Sequence, residues 1–115
     1  MAVKRAGRGE DVERGYISAL CTALEAWPEV AVQRNVRGAS FVVGRKFFGF
    51  TRPEGLAMKL PEPRIRRLMA ERDVTFLKMG KRTMREWALV KLAPTAEIQN
   101  EHLELLREAM RFASS

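Results

Sequence analysis

The sequence predicts an α+β domain, a single antiparallel sheet packed against N-terminal, middle and C-terminal helices. Three observations carry that expectation. Val30–Val36 and Leu56–Leu60 alternate side chains at the period of half-buried strands, and short β-rich runs stand at 41–43, 74–77 and 84–92. Gly- and Pro-bearing turn pairs punctuate them at intervals too short for a parallel crossover. Apolar residues at helical spacing bracket the strands at both ends and interrupt them once, giving the order α, several β, α, β, β, α.

Each element has a local reason. The first helix is expected from Glu10 or Asp11, where acidic residues favour the positive end of the dipole, to Trp27. Tyr16, Leu20, Ala23 and Leu24 lie on its apolar side and Pro28 ends it. Val30–Val36 alternates Val30 and Val32 against Ala31 and Gln33, a first strand, followed by a turn pair Arg37-Gly38. Phe41-Val42-Val43 leads to Gly44-Arg45, where a glycine at the first central position suits a two-residue hairpin. Phe47, Phe48 and Phe50 follow; an unbroken strand would place Phe48 with Phe50 on one face and Phe47 with Gly49 on the other. Arg52-Pro53-Glu54-Gly55 is turn chemistry, and Leu56, Met58 and Leu60 alternate with Ala57 and Lys59. Pro63 then fits the first turn of a helix whose apolar stripe is Ile65, Leu68 and Met69, with Arg64, Arg66 and Arg67 outward and Arg67 spaced to pair with Glu71. Val74–Leu77 is a short strand, Lys78–Arg82 a basic loop around Gly80, and Met84–Leu92 a last strand with Trp87 and Leu89 opposite Ala88 and Val90. Thr95 is the expected N-cap of a final helix lined by Ile98, His102, Leu105, Leu106, Ala109, Met110 and Phe112.

The 115 residues suit one domain with a single core, expected over 10–115 behind a basic flexible tail at 1–9. A chain that is 46% hydrophobic and 30% charged is an ordinary globular composition. One cysteine, Cys21, excludes an internal disulfide and offers no metal-ligand spacing; it reads as a small buried thiol. The basic start is followed by no apolar run, and no segment is apolar enough to span a bilayer. A cytoplasmic protein without membrane association is the resulting expectation.

The chemistry the sequence offers is charge. Its only histidine, His102, sits among leucines and glutamates on a helix, without a nucleophile to activate; no catalytic set, metal ligand set or cofactor loop is expected. The net charge of +7 attracts polyanions. Three groups of cations are the candidate binding residues: Arg45, Lys46 and Arg52 at hairpin tips; Arg64, Arg66 and Arg67 on the short helix; Lys78, Lys81, Arg82 and Arg85 at the second loop. The first reading is a non-enzymatic domain that binds DNA or another nucleic acid through them. The alternative is a protein-interaction or small-ligand module, with a pocket or a self-complementary homodimer surface, whose basic residues only keep it in solution. Phe47, Phe48, Phe50 and Trp87 have the chemistry to stack on bases, but in a chain this short they are expected in the core.

The run VGRKFFGFTRPEGLAMKLP, a short Arg-rich helix and then KRTMREWALV resemble the MmcQ/YjbR-type proteins and the related TfoX N-terminal-like domains. The matching pieces are Gly44–Phe47, Leu56–Leu60 and, most specific of the three, Met84–Trp87, within roughly residues 27–112. The resemblance implies a compact antiparallel α+β domain and DNA binding by a double-wing arrangement of hairpins, with no catalytic residues to transfer. Lys78, Lys81 and Arg82 stand where glycines and small residues are common in such proteins, so this loop is more basic than the resemblance requires.

Overall fold

The computed structural model describes residues 15–36, 38–92 and 99–115. Helix α1 occupies residues 15–25. Four strands follow, β1 (Val30–Asn35), β2 (Gly38–Val43), β3 (Lys46–Arg52) and β4 (Gly55–Lys59). Helix α2 (Glu62–Glu71), strands β5 (Val74–Met79) and β6 (Arg82–Lys91), and helix α3 (Asn100–Ser114) complete the chain. The sheet order is β1-β2-β3-β4-β6-β5, with every neighbouring pair antiparallel. This is the α+β architecture the sequence predicts. The expected tail at 1–9, the start of the first helix at Glu10 or Asp11, and the positions of Thr95 and Ile98 lie outside the described residues.

Turn chemistry sets the meander. Val43 pairs with Lys46 and Met79 with Arg82, leaving Gly44-Arg45 and Gly80-Lys81 as two-residue turns. Gly44 and Gly80 have φ of 62° and 63°, and no described non-glycine residue has positive φ, so both are type II′ hairpin turns. The expected Lys78–Arg82 loop is therefore a hairpin tip. Asn35 pairs with Gly38, which places Gly38 inside β2 and not in the turn the sequence suggested; Arg37 of that expected turn pair lies outside the described residues. Gly55 is required for a different reason: a Cβ there would meet the Val90 carbonyl oxygen at 2.0 Å. Pro61 sits at the N-cap of α2 and Pro63 in its first turn, where a missing N–H disrupts nothing. The last helix starts at Asn100 behind Gln99.

All three helices cover one face of the sheet. Leu20, Cys21 and Leu24 of α1, Ile65 and Leu68 of α2, and Leu105, Leu106 and Ala109 of α3 pack there with Phe41, Phe48, Leu56, Met58 and Val90. Cys21 is fully enclosed, as a buried thiol should be, and burial pushes its pKa up. A second, smaller cluster lies on the opposite face. Ala57, Leu77 and Leu89 form it, with Phe50, Met84 and Trp87 packed against them, and no described helix residue takes part.

Two irregularities place residues where simple alternation does not. Phe41 pairs with Gly49 but Val42 pairs with Phe47, so β3 holds one extra residue, Phe48. That bulge turns Phe48 into the main core, 6.2 Å from the Phe41 ring, while Phe50 belongs to the second cluster. The expectation that Phe48 and Phe50 share a face fails at this bulge, because period-2 counting assumes every residue is paired. In the second irregularity, Phe76 pairs with Ala88 and Leu77 with Met84, so residues 85–87 of β6 face no residue of β5. Trp87 stays paired with Lys59 of β4, but the outer half of the β5–β6 hairpin leaves the sheet plane. Arg52 Nη1 lies 3.5 Å from Met79 Sδ although β4 and β6 separate β3 from β5. The hairpin tip therefore folds across the helix-free face toward the end of β3.

Candidate nucleic-acid interface

Charge is divided between the two faces. The six strands carry eight Lys and Arg residues and a single carboxylate, Glu86. The other described carboxylates lie in helices, turns and connections, and four of them, Glu25, Glu62, Glu101 and Glu108, hold arginines on the helix side. Arg64 Nε and Nη2 donate to the two Glu108 carboxylate oxygens at 3.0 and 3.1 Å, tying α2 to α3 and pushing the Arg64 pKa up. Arg66 donates to Glu62 at 2.7 and 2.9 Å and its guanidinium lies 5.4 Å from the Phe76 ring centre. Arg34 pairs with Glu25 at 3.1 Å and Arg72 with Glu101 at 3.1 Å. Arg107 stacks over Trp27, 4.3 Å from the ring centre.

The ten candidate cations therefore separate. Arg64 and Arg66 are neutralised by helix carboxylates. Arg67 is exposed on α2 and does not form the expected pair with Glu71; the pair one turn apart in this helix is Glu62–Arg66. Arg85, in the unpaired stretch of β6, is a loose 3.8 Å from Glu62. Arg52 donates to Glu54 at 3.4 Å, and its own Nε is buried without a hydrogen-bond partner among the described residues. A hydrogen bond to its own backbone and then Arg52 hold the Glu54 carboxyl below its ordinary range. Arg45, Lys46, Lys78, Lys81 and Arg82 are all exposed, and among the described residues no carboxylate is within ion-pairing distance of them.

Strand register shows which of these come together. Met79 touches Arg52 and lies opposite Arg82, so Arg52 and Arg82 flank the folded tip, with Lys81 in its turn. Lys78 and Lys91 line a shallow cleft beside it with Glu54, Thr75, Leu77 and Leu89. Arg45 and Lys46 stand at the opposite end of β3 from Arg52, about 20 Å along a seven-residue strand. Lys59 pairs with Trp87 and shares the helix-free face with Phe50 and Ala57. Sequence reasoning passed over Lys59 and Lys91. Their signal was available in alternation: Ala57-Lys59 and Trp87-Leu89-Lys91 each occupy the strand face opposite the main core.

The aromatic residues expected inside also divide. Phe48 is fully buried. Phe47 is 48% exposed, next to Lys46, with its backbone opposite Val42. Phe50 and Trp87 are half-buried on the same face, their ring centres 5.3 Å apart.

No other described group suggests chemistry. His102 is buried, accepts the Gln99 backbone N–H at Nδ1 (3.3 Å), and has its pKa lowered chiefly by burial. Among the described residues no set of His, Cys, Asp and Glu is grouped to hold a metal ion, and no helix is long and apolar enough to cross a membrane. Comparison with protein-family models, with curated proteins and with solved structures finds no match.

Proposed function

We propose that this chain is a non-enzymatic nucleic-acid-binding domain that uses the helix-free side of its sheet. The observation that supports this reading is a difference in charge pairing: Arg34, Arg64, Arg66 and Arg72 on the helix side are held by carboxylates, whereas among the described residues no carboxylate is within ion-pairing distance of Arg45, Lys46, Lys81 and Arg82 at the two hairpin tips. Exposed Lys and Arg on glycine turns approach a phosphate backbone closely, and each phosphate neutralised releases counterions. The resemblance of the Gly44–Phe47, Leu56–Leu60 and Met84–Trp87 segments to MmcQ/YjbR-type proteins points the same way, toward hairpins as the binding elements.

The test is fluorescence anisotropy with a labelled duplex over a salt series from about 50 to 200 mM. Affinity should fall steeply with salt. Lys81→Glu combined with Arg82→Glu should weaken binding at least about tenfold at low salt and reduce the log–log salt slope by about two. Arg66→Gln combined with Arg67→Gln, on the helix side, should leave binding within about twofold. Absence of binding at low salt, or binding indifferent to salt, overturns the proposal. Equal losses in the two double variants would show that position on the fold does not matter and overturn it as well.

A further inference from the structure

From the aromatic side chains on the helix-free face we infer that the preferred partner is single-stranded nucleic acid, whose bases stack on Phe47 and on the Phe50–Trp87 pair. This rests on the nucleic-acid reading above and names the form of the substrate. Phe47 and Phe50 point to the same face because Val42 and Ser40, their partners on β2, are two residues apart. Trp87 continues the row, 5.3 Å from Phe50 across β4. Phe47 is nearly half exposed and packs against no other aromatic ring. An aromatic left outside a core that has room for Phe41 and Phe48 is a site where an apolar, flat partner gains most.

Charge complementarity selects that partner. The strand positions of this face carry Lys59, Arg52, Arg82 and Lys91 and no Asp or Glu; the one carboxylate beside them is Glu54 of the adjoining turn, which holds Arg52 and leaves Lys59, Arg82 and Lys91 without an ion-pair partner among the described residues. The turn residue Arg45 stands beside Phe47 at one end of β3, while Lys46, opposite Val43 of the main core, leaves the strand on the helix side; Arg52 with the Lys81–Arg82 tip stands at the other end. Bases laid on the aromatic row thus have cations at both ends for the flanking phosphates, over a span suited to a strand of about four nucleotides. A shallow depression lined by Asn35, Ser40 and Phe50 opens at the Arg52 end, on the side of β1 and β2. A duplex keeps its bases stacked inside and cannot use the rings; a lipid surface or an acidic peptide answers the charge but offers no rings to stack.

The experiment compares a labelled oligothymidine strand, an abasic strand of the same length, a duplex and heparin at one salt concentration. The wild-type chain should prefer the oligothymidine strand to the abasic one by about tenfold or more. Phe47→Ala should remove that preference and leave duplex and heparin binding within about twofold, and Phe47→Tyr should restore it. Phe47 is exposed, so the variant keeps its fold, which its thermal midpoint verifies. If no polyanion binds, the nucleic-acid reading itself fails. If duplex, abasic strand and oligothymidine bind alike and Phe47→Ala changes nothing, the charge reading stands and base stacking is overturned. If Phe47→Ala abolishes self-association in sedimentation without altering the strand preference, the face joins two copies of the chain and the inference is overturned.

Discussion

Phe47 and Phe48 are neighbours in β3, yet one is 48% exposed and the other is completely buried. The difference between them is the difference between the two faces of the sheet. Behind Phe48 lie three helices, a continuous apolar core and a set of arginines each held by a glutamate. In front of Phe47 lie a three-residue buried cluster, a folded hairpin tip and, among the described residues, cations such as Lys59, Lys81 and Arg82 with no carboxylate within ion-pairing distance. One face is organised for folding. The other has little hydrophobic depth and keeps its charges available, which is what a surface that meets a polyanion requires. Because folding and the proposed binding would occupy opposite sides of the same strands, substitutions can separate them.

The largest separation should come from the two phenylalanines themselves. Phe48→Ala opens a cavity against Phe41 in the main core and should cost about 3–5 kcal/mol. Phe47→Ala removes a ring that solvent already reaches and should cost under about 1 kcal/mol. Urea denaturation of the two variants measures both. Equal losses would mean that the extra residue in β3 is not where the pairing of Phe41 with Gly49 and Val42 with Phe47 puts it.

A smaller effect sharpens the comparison at the hairpin tips. Gly44 and Gly80 hold left-handed φ with open space where a Cβ would stand. Gly80→Ala should therefore cost only the left-handed penalty, about 1–2 kcal/mol, without a clash. The change should also loosen the tip that carries Lys81 and Arg82, so nucleic-acid affinity should drop while the helix-side core stays intact. Gly55→Ala, by contrast, drives a methyl group onto the Val90 carbonyl oxygen and should unfold the sheet at the β4–β6 pairing. Thermal denaturation alongside anisotropy distinguishes the two; a Gly80→Ala loss as large as that of Gly55→Ala would place the tip in the core.

These same residues show what the sequence could and could not reveal. Glycine at the first central position of the Gly44-Arg45 hairpin, alternation in β4, and Pro63 at the start of α2 are local rules obeyed locally, and the α+β class followed from them, whereas the two-residue turn at Gly80-Lys81 read in the sequence only as a basic loop. The face assignment of Phe48 and the folding of the β5–β6 tip were not legible, because a bulge appears only when a strand is laid against its partner. The candidate cations were visible as residue types. Which of them a carboxylate would neutralise was not, since Glu108 is 44 positions from Arg64 and only the packing of α3 on α2 brings them together. Lys59 and Lys91 belong with the exposed cations because strand pairing sets Lys59 opposite Trp87 and Lys91 opposite Gly55 on the helix-free face, which alternation along β4 and β6 already indicates.

The smallest expected effect concerns pH and belongs to the helix side alone. His102 is 7% exposed, and its Nδ1 accepts the Gln99 N–H, which only the neutral ring with its proton on Nε2 can do. Burial lowers its pKa; Glu101, 4.0 Å from Nε2, opposes that shift, and Arg72 adds to it. In the unfolded chain the ring titrates near about 6.5. Above that value both states carry the neutral ring and the contribution is complete. As pH falls below it, the unfolded state takes up a proton that the folded state resists, so stability drops until the lowered folded pKa is passed and then levels off. His102→Gln removes the titration and should flatten the dependence between pH 7 and pH 5 relative to the wild-type chain. Salt-dependent nucleic-acid binding in that variant at pH 7 should be unchanged, because the histidine lies under the helices and the cations lie on the other side. A variant that kept the wild-type pH slope between pH 7 and pH 5 would mean that the buried imidazole does not set the acid sensitivity of this face.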